Sequence, residues 1–349
     1  MKNGHHWSLT AIFWTIFSFQ SFAQTDVSPV WVSKDLLKKH VYTLASDSLQ
    51  GRGSGTVGQF KAADYCVKDF KNSHLLPIFQ LDSLNWSFLQ KYYFTPSLVA
   101  FFGRMAVTAK RSELSDPPSP NYSDSRILFA HNVGGLIVGK DLPNETVIVS
   151  AHYDHLGKIG SLIYNGADDN ASGSASVLAI AAAFDSLAQQ GIRPRRSVLF
   201  LLFSGEEGGL IGSKYFVANS PIPMNQIICD LNVDMVGRTD FKHRKKPDYC
   251  YLITGKQDNE LRQTIKTANQ KSVNINVDHS YDSENDPSSF YYRSDHYNFA
   301  KQGIPIAFFM DGEHPDYHQP SDSADKINYP LLQKRATLVF QTAWMMANP

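Results

Sequence analysis

Short apolar runs alternate with longer amphipathic segments along most of the chain. Continuous apolar runs predict four strands, at residues 146–150, 197–203, 227–233 and 304–310. Apolar periodicity and helix-end signals predict three helices, at residues 54–72, 174–190 and 329–346. Strands that are apolar on both faces are typical of a sheet covered by helices on each side, so the pattern indicates an α/β fold.

The first 23 residues have the layout of a secretory signal peptide. Lys2 is followed by an apolar run over residues 7–19, and Ser21 and Ala23 supply the small residues of a cleavage site. This run is shorter than the ~20 residues that a membrane-spanning helix needs, which argues against a stable membrane anchor. We therefore expect a mature chain that begins at Gln24 and a secreted or periplasmic protein.

Composition and charge limit the class of protein. The 349 residues include 33 Lys plus Arg and 33 Asp plus Glu, so the chain has no basic excess that would favour nucleic-acid binding. A hydrophobic fraction of 42% with zero net charge argues against intrinsic disorder. The length allows one large domain or two smaller ones.

The three cysteines, Cys66, Cys229 and Cys250, form no CxxC pair. Their spacing is equally compatible with one disulfide in an oxidising compartment and with three buried thiols. We assign them no function.

Candidate chemistry is concentrated in short polar segments, three of which directly follow predicted strands. The five segments are residues 152–155, 165–173, 206–208, 232–237 and 316–322. Ligands of open α/β sheets bind beyond the carboxyl ends of the strands, so we expect these segments to meet at one sheet edge.

Each segment alone has an ordinary explanation, such as a solvated loop histidine or an aspartate that caps a helix. Together they supply histidines and several carboxylates. Two adjacent glutamates, Glu206 and Glu207, leave the most apolar strand, where burial would be costly without a counter-charge. Imidazole and carboxylate ligands without thiolate favour Zn²⁺, with Mn²⁺ or Co²⁺ as alternatives.

The order and content of these segments resemble peptidase family M28, the zinc aminopeptidases with two co-catalytic metal ions. The matching segments are His152-Tyr153-Asp154, residues 166–173, Gly205-Glu206-Glu207, residues 232–235 and residues 317–322. Residues 49–56 and Ser294-Asp295-His296 also fit secreted bacterial members of the family. All five metal-site segments occur in the family's order, which makes a chance match improbable.

The resemblance implies a three-layer α/β/α sandwich with a mixed central sheet of about eight strands. Residues 24–349 would form a single catalytic domain, because residues 80–145 leave no room for the protease-associated domain that many relatives carry. The implied activity is removal of N-terminal residues from peptides with a free N-terminus, with a metal-bridging water activated by Glu206. The resemblance leaves the oligomeric state open.

The resemblance also implies a role for each site residue. Asp168 would bridge two zinc ions, with His152 and Asp234 as further ligands of one ion and Glu207 and His318 of the other. Glu206 would be the general base, and Asp154 would orient His152. A cis peptide bond is expected at Asp168–Asp169.

Two alternatives remain open at this point. A non-catalytic binding ectodomain on the same fold predicts loss of the base or of the metal ligands, yet all of these residues are present. A glutaminyl cyclase-like acyltransferase on a related fold predicts a single zinc ion and cyclisation of peptides with an N-terminal Gln.

Overall fold

The computed structural model describes residues 30–101, 104–110, 128–255 and 259–349. The expected signal peptide, residues 1–23, lies outside the described residues. The seven α-helices are α1 (Lys34–Leu44), α2 (Val57–Asn72), α3 (Gly173–Gln189), α4 (Ile211–Ala218), α5 (Asn259–Lys271), α6 (His296–Ala300) and α7 (Tyr329–Ala347).

Fourteen strands are found in the same described ranges. They are β1 (Leu76–Pro77), β2 (Phe79–Gln80), β3 (Trp86–Ser87), β4 (Leu89–Phe101), β5 (Arg104–Lys110), β6 (Leu128–Ile137), β7 (Leu142–His152), β8 (Gly157–Ile159), β9 (Leu162–Tyr164), β10 (Arg196–Phe203), β11 (Ile227–Val233), β12 (Tyr249–Ile253), β13 (Asn276–Asp278) and β14 (Ile306–Met310).

Ten of these strands form one mixed sheet in the order β13-β12-β14-β11-β7-β10-β6-β4-β5, with β1 paired to β6. The neighbours β10, β7, β11 and β14 are parallel to one another. Antiparallel β12 and β6 flank this parallel block. The predicted mixed sheet is confirmed, although it has ten strands rather than about eight.

Apolar side chains on both faces of β7 explain why this strand lies at the centre of the sheet. Val147 and Val149 face a large core shared with α1, α2, α3, α5 and α7, whereas Ile148 faces a smaller core shared with α4 and α6. The sheet is thus covered on both sides, and the predicted three-layer α/β/α sandwich is confirmed.

Helix ends follow local capping chemistry. The predicted start of the first helix at residue 54 is three residues early, because the Thr56 side chain accepts from the Gln59 N–H and caps α2. Asn328 caps α7, which has a proline in its first turn, as expected.

Among the described residues, one helical segment, Ala167–Gln189, is long and apolar enough to span a membrane, but most of it is buried within the protein. In the same part of the chain, no disulfide joins Cys66, Cys229 and Cys250, and all three are buried.

The parallel block determines where the polar segments meet. Because β7, β10, β11 and β14 run in the same direction, their carboxyl ends lie at one edge of the sheet. Four of the five predicted chemical segments follow these ends, whereas residues 165–173 follow β9.

Candidate metal centre

A first group of possible metal ligands joins the ends of three neighbouring strands. His152 ends β7, Glu206 follows β10 and Asp234 follows β11. One ligand atom from each residue lies within 4.8 Å of the other two. Nε2 of His152 is 3.3 Å from Oδ1 of Asp234 and 3.9 Å from Oε2 of Glu206.

A second group lies beside the first and consists of His155, Asp169 and Glu207, again within 4.8 Å of one another. His318, from the loop that follows β14, adds its Nε2 at 2.9 Å from Oδ2 of Asp169 and 3.3 Å from Oε2 of Glu207. The Nδ1 of His155 is 2.6 Å from Oε1 of Glu207. This group therefore offers two carboxylates and two imidazoles.

Asp169 connects the two groups through its two oxygens. Its Oδ1 is 3.5 Å from Nε2 of His152, in the first group. Its Oδ2 is 2.9 Å from Nε2 of His318 and 3.7 Å from Nδ1 of His155, in the second group. A carboxylate in this position can share its oxygens between two cations. The site cluster, as we call it, comprises His152, His155, Asp169, Glu206, Glu207, Asp234 and His318.

The prediction that Asp168 bridges the two groups is wrong, because its carboxylate points away from the site cluster. Its Oδ1 accepts the Gly237 N–H at 2.6 Å, and its Oδ2 lies 3.1 Å from Nε2 of His314. The N–H groups of Asp168 and Asp169 both donate to Oδ2 of Asp322, so the turn wraps around that oxygen and directs successive carboxylates to different sides.

The predicted cis peptide bond is displaced by the same single residue. It lies at Asp169–Asn170 rather than at Asp168–Asp169. Gly166 begins this turn at a φ of 52°, where an added Cβ would lie 2.0 Å from the Asp169 carbonyl oxygen and 2.5 Å from the His155 ring. The turn therefore requires glycine at this position.

Asp154 lies beside His152, as expected. Its Oδ1 is 3.5 Å from Nδ1 of His152 and accepts the Glu206 N–H at 3.3 Å. Its Oδ2 accepts the Gly205 N–H and the Ser54 hydroxyl, both at 2.8 Å. These three donors hold a carboxylate between the end of β7 and the glutamates that follow β10.

Burial and unbalanced charge shift the pKa values of the two glutamates in opposite directions. Burial raises the pKa of Glu206 well above its usual value, and the nearby carboxylates of Glu207 and Asp234 add to the effect. Burial would also raise the pKa of Glu207, but His318 and His155 outweigh it and hold that pKa well below the usual value. Burial would lower the pKa of His318, but the carboxylates of Glu207 and Asp169 outweigh it and raise that pKa to about 11.

Negative charge is in excess in the site cluster, which has four carboxylates and three imidazoles. Within the described residues, every ion pair that a carboxylate of the cluster makes is with a histidine. None of these carboxylates pairs with Lys or Arg. Buried carboxylates without a counter-charge are costly, so the arrangement suits a cation. The side chains of Glu206, Glu207 and Asp234 remain 11–12% exposed, which leaves the cluster accessible from solvent.

A second set of buried charges adjoins the site cluster, and arginine balances its carboxylates. It comprises Asp168, Arg238, Asp311, His314, Asp322 and Arg335, and we call it the arginine cluster. Nη1 of Arg335 donates to Oδ2 of Asp311 at 3.0 Å, and Nη1 of Arg238 is 3.8 Å from Oδ1 of Asp322. This set carries its own cations, so it has no need of a metal ion.

Sequence reasoning missed two members of the site cluster. The resemblance implies a bridging role for Asp168 and none for the adjacent Asp169. His155 lies three residues after His152 in the same loop, and this short separation was the one available signal.

Comparisons with known proteins find a peptidase family and its aminopeptidases. The model of "Peptidase family M28" matches residues 132–343. A probable leucine aminopeptidase from Arthroderma otae is 29% identical over 212 residues, covering 58% of this chain and 54% of its own. Aminopeptidase YwaD from Bacillus subtilis is 28% identical over 223 residues, covering 60% and 43%. The chain thus spans about half the length of the curated relatives it matches.

Solved structures support the fold. LapA aminopeptidase from Legionella pneumophila superposes with a TM-score of 0.64 at 18% identity, covering 91% of this chain and 73% of its own. BSAP, a zinc aminopeptidase from Bacillus subtilis, gives 0.62 at 17% identity, covering 89% and 97%. Because the family model matches more than half of the chain, the protein belongs to peptidase family M28.

Proposed function

We propose that the protein is an aminopeptidase that holds two Zn²⁺ ions, with Mn²⁺ or Co²⁺ as alternatives, and removes N-terminal residues from peptides. The observation that carries this proposal is the position of Asp169, whose two oxygens face two separate groups of possible ligands. Family membership and relatives named as leucine aminopeptidases support the same activity.

The donor atoms fit zinc. Imidazole nitrogen and carboxylate oxygen are common zinc ligands, and the site cluster contains no thiolate. His152, Asp169 and Asp234 would hold one ion, and Asp169, Glu207 and His318 would hold the other. When bound, the ions would lower the pKa of a water molecule to about 7 and stabilise negative charge on the scissile carbonyl oxygen.

The chain's own residues would handle the protons. Glu206 lies beside His152 and Asp234, and its backbone N–H is held by Asp154. A glutamate there can accept a proton from the attacking water and pass it to the leaving amine, as a general base and then a general acid. Asp154 would keep the imidazole of His152 oriented.

Export and substrate follow from the same proposal. Residues 1–23 would direct the chain out of the cytoplasm, and its substrates would be peptides with a free α-amine. Mature protein, residues 24–349, should be loaded with zinc and supplied with aminoacyl-nitroanilides, dipeptides and their N-blocked versions. We expect hydrolysis of the unblocked substrates alone.

Two outcomes would contradict the proposal. Equal rates on blocked and unblocked substrates would indicate a general amidase. One zinc ion per chain, with cyclisation of peptides that begin with Gln, would indicate a glutaminyl cyclase-like acyltransferase.

A substitution at the proposed base tests the chemistry separately from the metal. Glu206→Gln keeps the size of the side chain but not its basicity, so kcat should fall about 10²–10⁴-fold while zinc remains bound. Glu145→Gln, near the opposite end of β7, is the matched control and should keep native kcat. Native turnover in the Glu206 variant would remove the role assigned to this residue.

A further inference from the structure

A strained turn precedes α2 and lies outside the part of the chain that the family model matches, residues 132–343. Gln50, Gly51 and Arg52 have successive φ values of 48°, 68° and 53°. Residues other than glycine rarely adopt positive φ, and Gln50 and Arg52, on either side of Gly51, keep it only when the surroundings hold them. Such strain is concentrated at functional sites, so the contacts of this turn are informative.

The turn packs closely against the hairpin of β8 and β9, which connects two loops of the site cluster. A Cβ added to Gly51 would lie 2.3 Å from the Gly157 carbonyl oxygen and 2.4 Å from that of Tyr164. Gly157 starts β8 and Tyr164 ends β9. This hairpin lies in the sequence between His152 and Asp169, and the turn therefore contacts the segment that connects the two metal-site loops.

Arg52 ties these loops together through its buried guanidinium. The side chain donates to the carbonyl oxygens of Tyr153 at 2.6 Å, Asn165 at 2.7 Å and Gly166 at 3.0 Å, and also to Leu44 at the end of α1. Tyr153 directly follows His152, whereas Asn165 and Gly166 begin the turn that presents Asp169. One planar donor group thus fixes the separation of two segments that carry proposed ligands.

The charge of Arg52 also lies near the site cluster. Burial lowers the pKa of Arg52 to about 10, and the carboxylates of Asp154 and Asp169 counteract this effect. A buried guanidinium that donates to neutral carbonyl groups is costly unless negative charge lies nearby. The site cluster and Asp154 supply that charge.

Ser54 provides the second connection from the turn. Its hydroxyl donates to Oδ2 of Asp154 at 2.8 Å and lies 2.7 Å from the hydroxyl of Ser204. Ser204 directly follows β10 and precedes Glu206 by two residues. Asp154 in turn lies against Nδ1 of His152. The hydroxyl therefore acts on a proposed ligand through one intermediate carboxylate.

We propose that residues 50–54 are a positioning element of the metal centre. Arg52 sets the spacing of the His152 and Asp169 loops, and Ser54 fixes Asp154 and, through it, the ring of His152. The inference rests on the proposed two-zinc function and deepens it, since it assigns the preparation of the zinc site to a segment that precedes the matched family region.

The test measures zinc affinity rather than activity alone. Ser54→Ala and Arg52→Lys are made in the mature chain, and zinc affinity is measured by chelator competition. The absorption spectrum of the Co²⁺-loaded protein reports ligand geometry. Residues that orient metal ligands typically contribute ten- to a hundredfold in affinity, so we expect zinc to bind about 10–100-fold more weakly to both variants, with an altered Co²⁺ spectrum. Ser54→Thr keeps the hydroxyl and should restore native affinity.

Leu37→Ala is the control for loss of stability. Leu37 is fully buried in α1, the helix whose last carbonyl Arg52 holds, and its side chain packs in the large apolar core. This variant should melt at a lower temperature than the native protein and keep native zinc affinity. If Arg52→Lys does not fold, the comparison of Ser54→Ala with Ser54→Thr decides the question.

The inference fails if the Ser54 and Arg52 variants melt earlier, as Leu37→Ala does, but bind both ions with native affinity and an unchanged Co²⁺ spectrum. The turn would then serve the fold alone. Failure of the proposed function is seen separately, in the native protein, as an absence of zinc binding or of peptide hydrolysis.

Discussion

Two buried groups of carboxylates lie side by side at the same sheet edge, and they differ in what balances them. The arginine cluster sets Asp168, Asp311 and Asp322 against two arginines and one histidine. The site cluster sets four carboxylates against three histidines, with no ion pair to Arg or Lys among the described residues. Adjacent aspartates in one turn belong to different clusters.

The difference indicates which group is built for a ligand. A carboxylate paired with a buried arginine is satisfied within the protein, and removing either partner costs stability. An excess of carboxylates without such partners requires a cation from solution. Local composition does not separate the two cases, because both clusters combine aspartates with histidine.

The largest expected effect comes from substituting the two adjacent aspartates one at a time. Asp169→Asn should lose zinc and reduce kcat/KM by at least about 10³-fold, because bound metal supplies several kcal/mol of transition-state stabilisation. Asp168→Asn should keep zinc and lose about 1.5–3 kcal/mol of unfolding free energy, the worth of a hydrogen bond to a charged group. Zinc content and chemical denaturation distinguish the two.

The reverse pattern would overturn the comparison. Retention of zinc by Asp169→Asn with loss of zinc in Asp168→Asn would restore the bridging role that sequence reasoning gave to Asp168.

A second prediction concerns the arginine cluster. Arg335 is fully buried and donates to the carboxylate of Asp311 and to the carbonyl groups of Tyr249 and Val236. Arg335→Met should destabilise the fold by about 3–5 kcal/mol, because it leaves Asp311 buried and uncompensated. Urea denaturation measures the loss. A double variant with Asp311→Asn should recover part of it, and no recovery would mean that the pair is not coupled.

A third prediction tests the histidine that sequence reasoning missed. The Nδ1–H of His155 can donate to Oε1 of Glu207, which leaves Oε2 directed at His318. His155→Phe keeps a ring against Gly166 but removes the donor, so affinity for one of the two zinc ions should fall about 10–100-fold. Calorimetric titration with zinc measures both sites.

His155→Gln retains an N–H donor and is the matched variant. It should bind zinc more tightly than His155→Phe does. Equal affinities for the native protein and both variants would show that Glu207 needs no support from position 155.

The smallest effect at neutral pH is expected at a buried histidine outside both clusters. Burial, aided by the charge of Lys39, lowers the pKa of His40 to about 4; its ring contacts the Tyr65 hydroxyl and lies 3.7 Å from Asp69. Because the unfolded chain binds this proton at a higher pH, near 6.5, the contribution of His40 to stability should be constant above that pH and fall between about 6.5 and 4. At 1.36 kcal/mol per pKa unit, the loss is at most about 3 kcal/mol.

Thermal melts across this pH range, for native protein and His40→Gln, measure the effect. The variant should have a flatter profile between pH 6.5 and 4 than the native protein has. Parallel profiles for native protein and His40→Gln would contradict the assignment.

The sequence predicts the sheet better than it predicts the site. β10 and β11 fall within one residue of the predicted strands, because continuous apolar runs report burial on both faces directly. The position of the site at one sheet edge follows from the parallel order of β10, β7, β11 and β14, whose carboxyl ends lie together. His152, Glu206, Glu207, Asp234 and His318 meet there as expected.

The choice between Asp168 and Asp169 depends on contacts that local sequence does not contain. Both N–H groups bond to Asp322, which lies more than 150 residues further along the chain. That contact determines the direction of each carboxylate. The side to which His155 turns likewise depends on its packing against Gly166.

The most direct test of the central claim is a crystal structure of zinc-loaded protein, with anomalous scattering recorded at the zinc absorption edge. We expect two peaks, one among His152, Asp169 and Asp234 and the other among Asp169, Glu207 and His318, with a separate carboxylate oxygen of Asp169 on each ion. Absence of both peaks, or a peak bound by Asp168 in place of Asp169, would contradict the account.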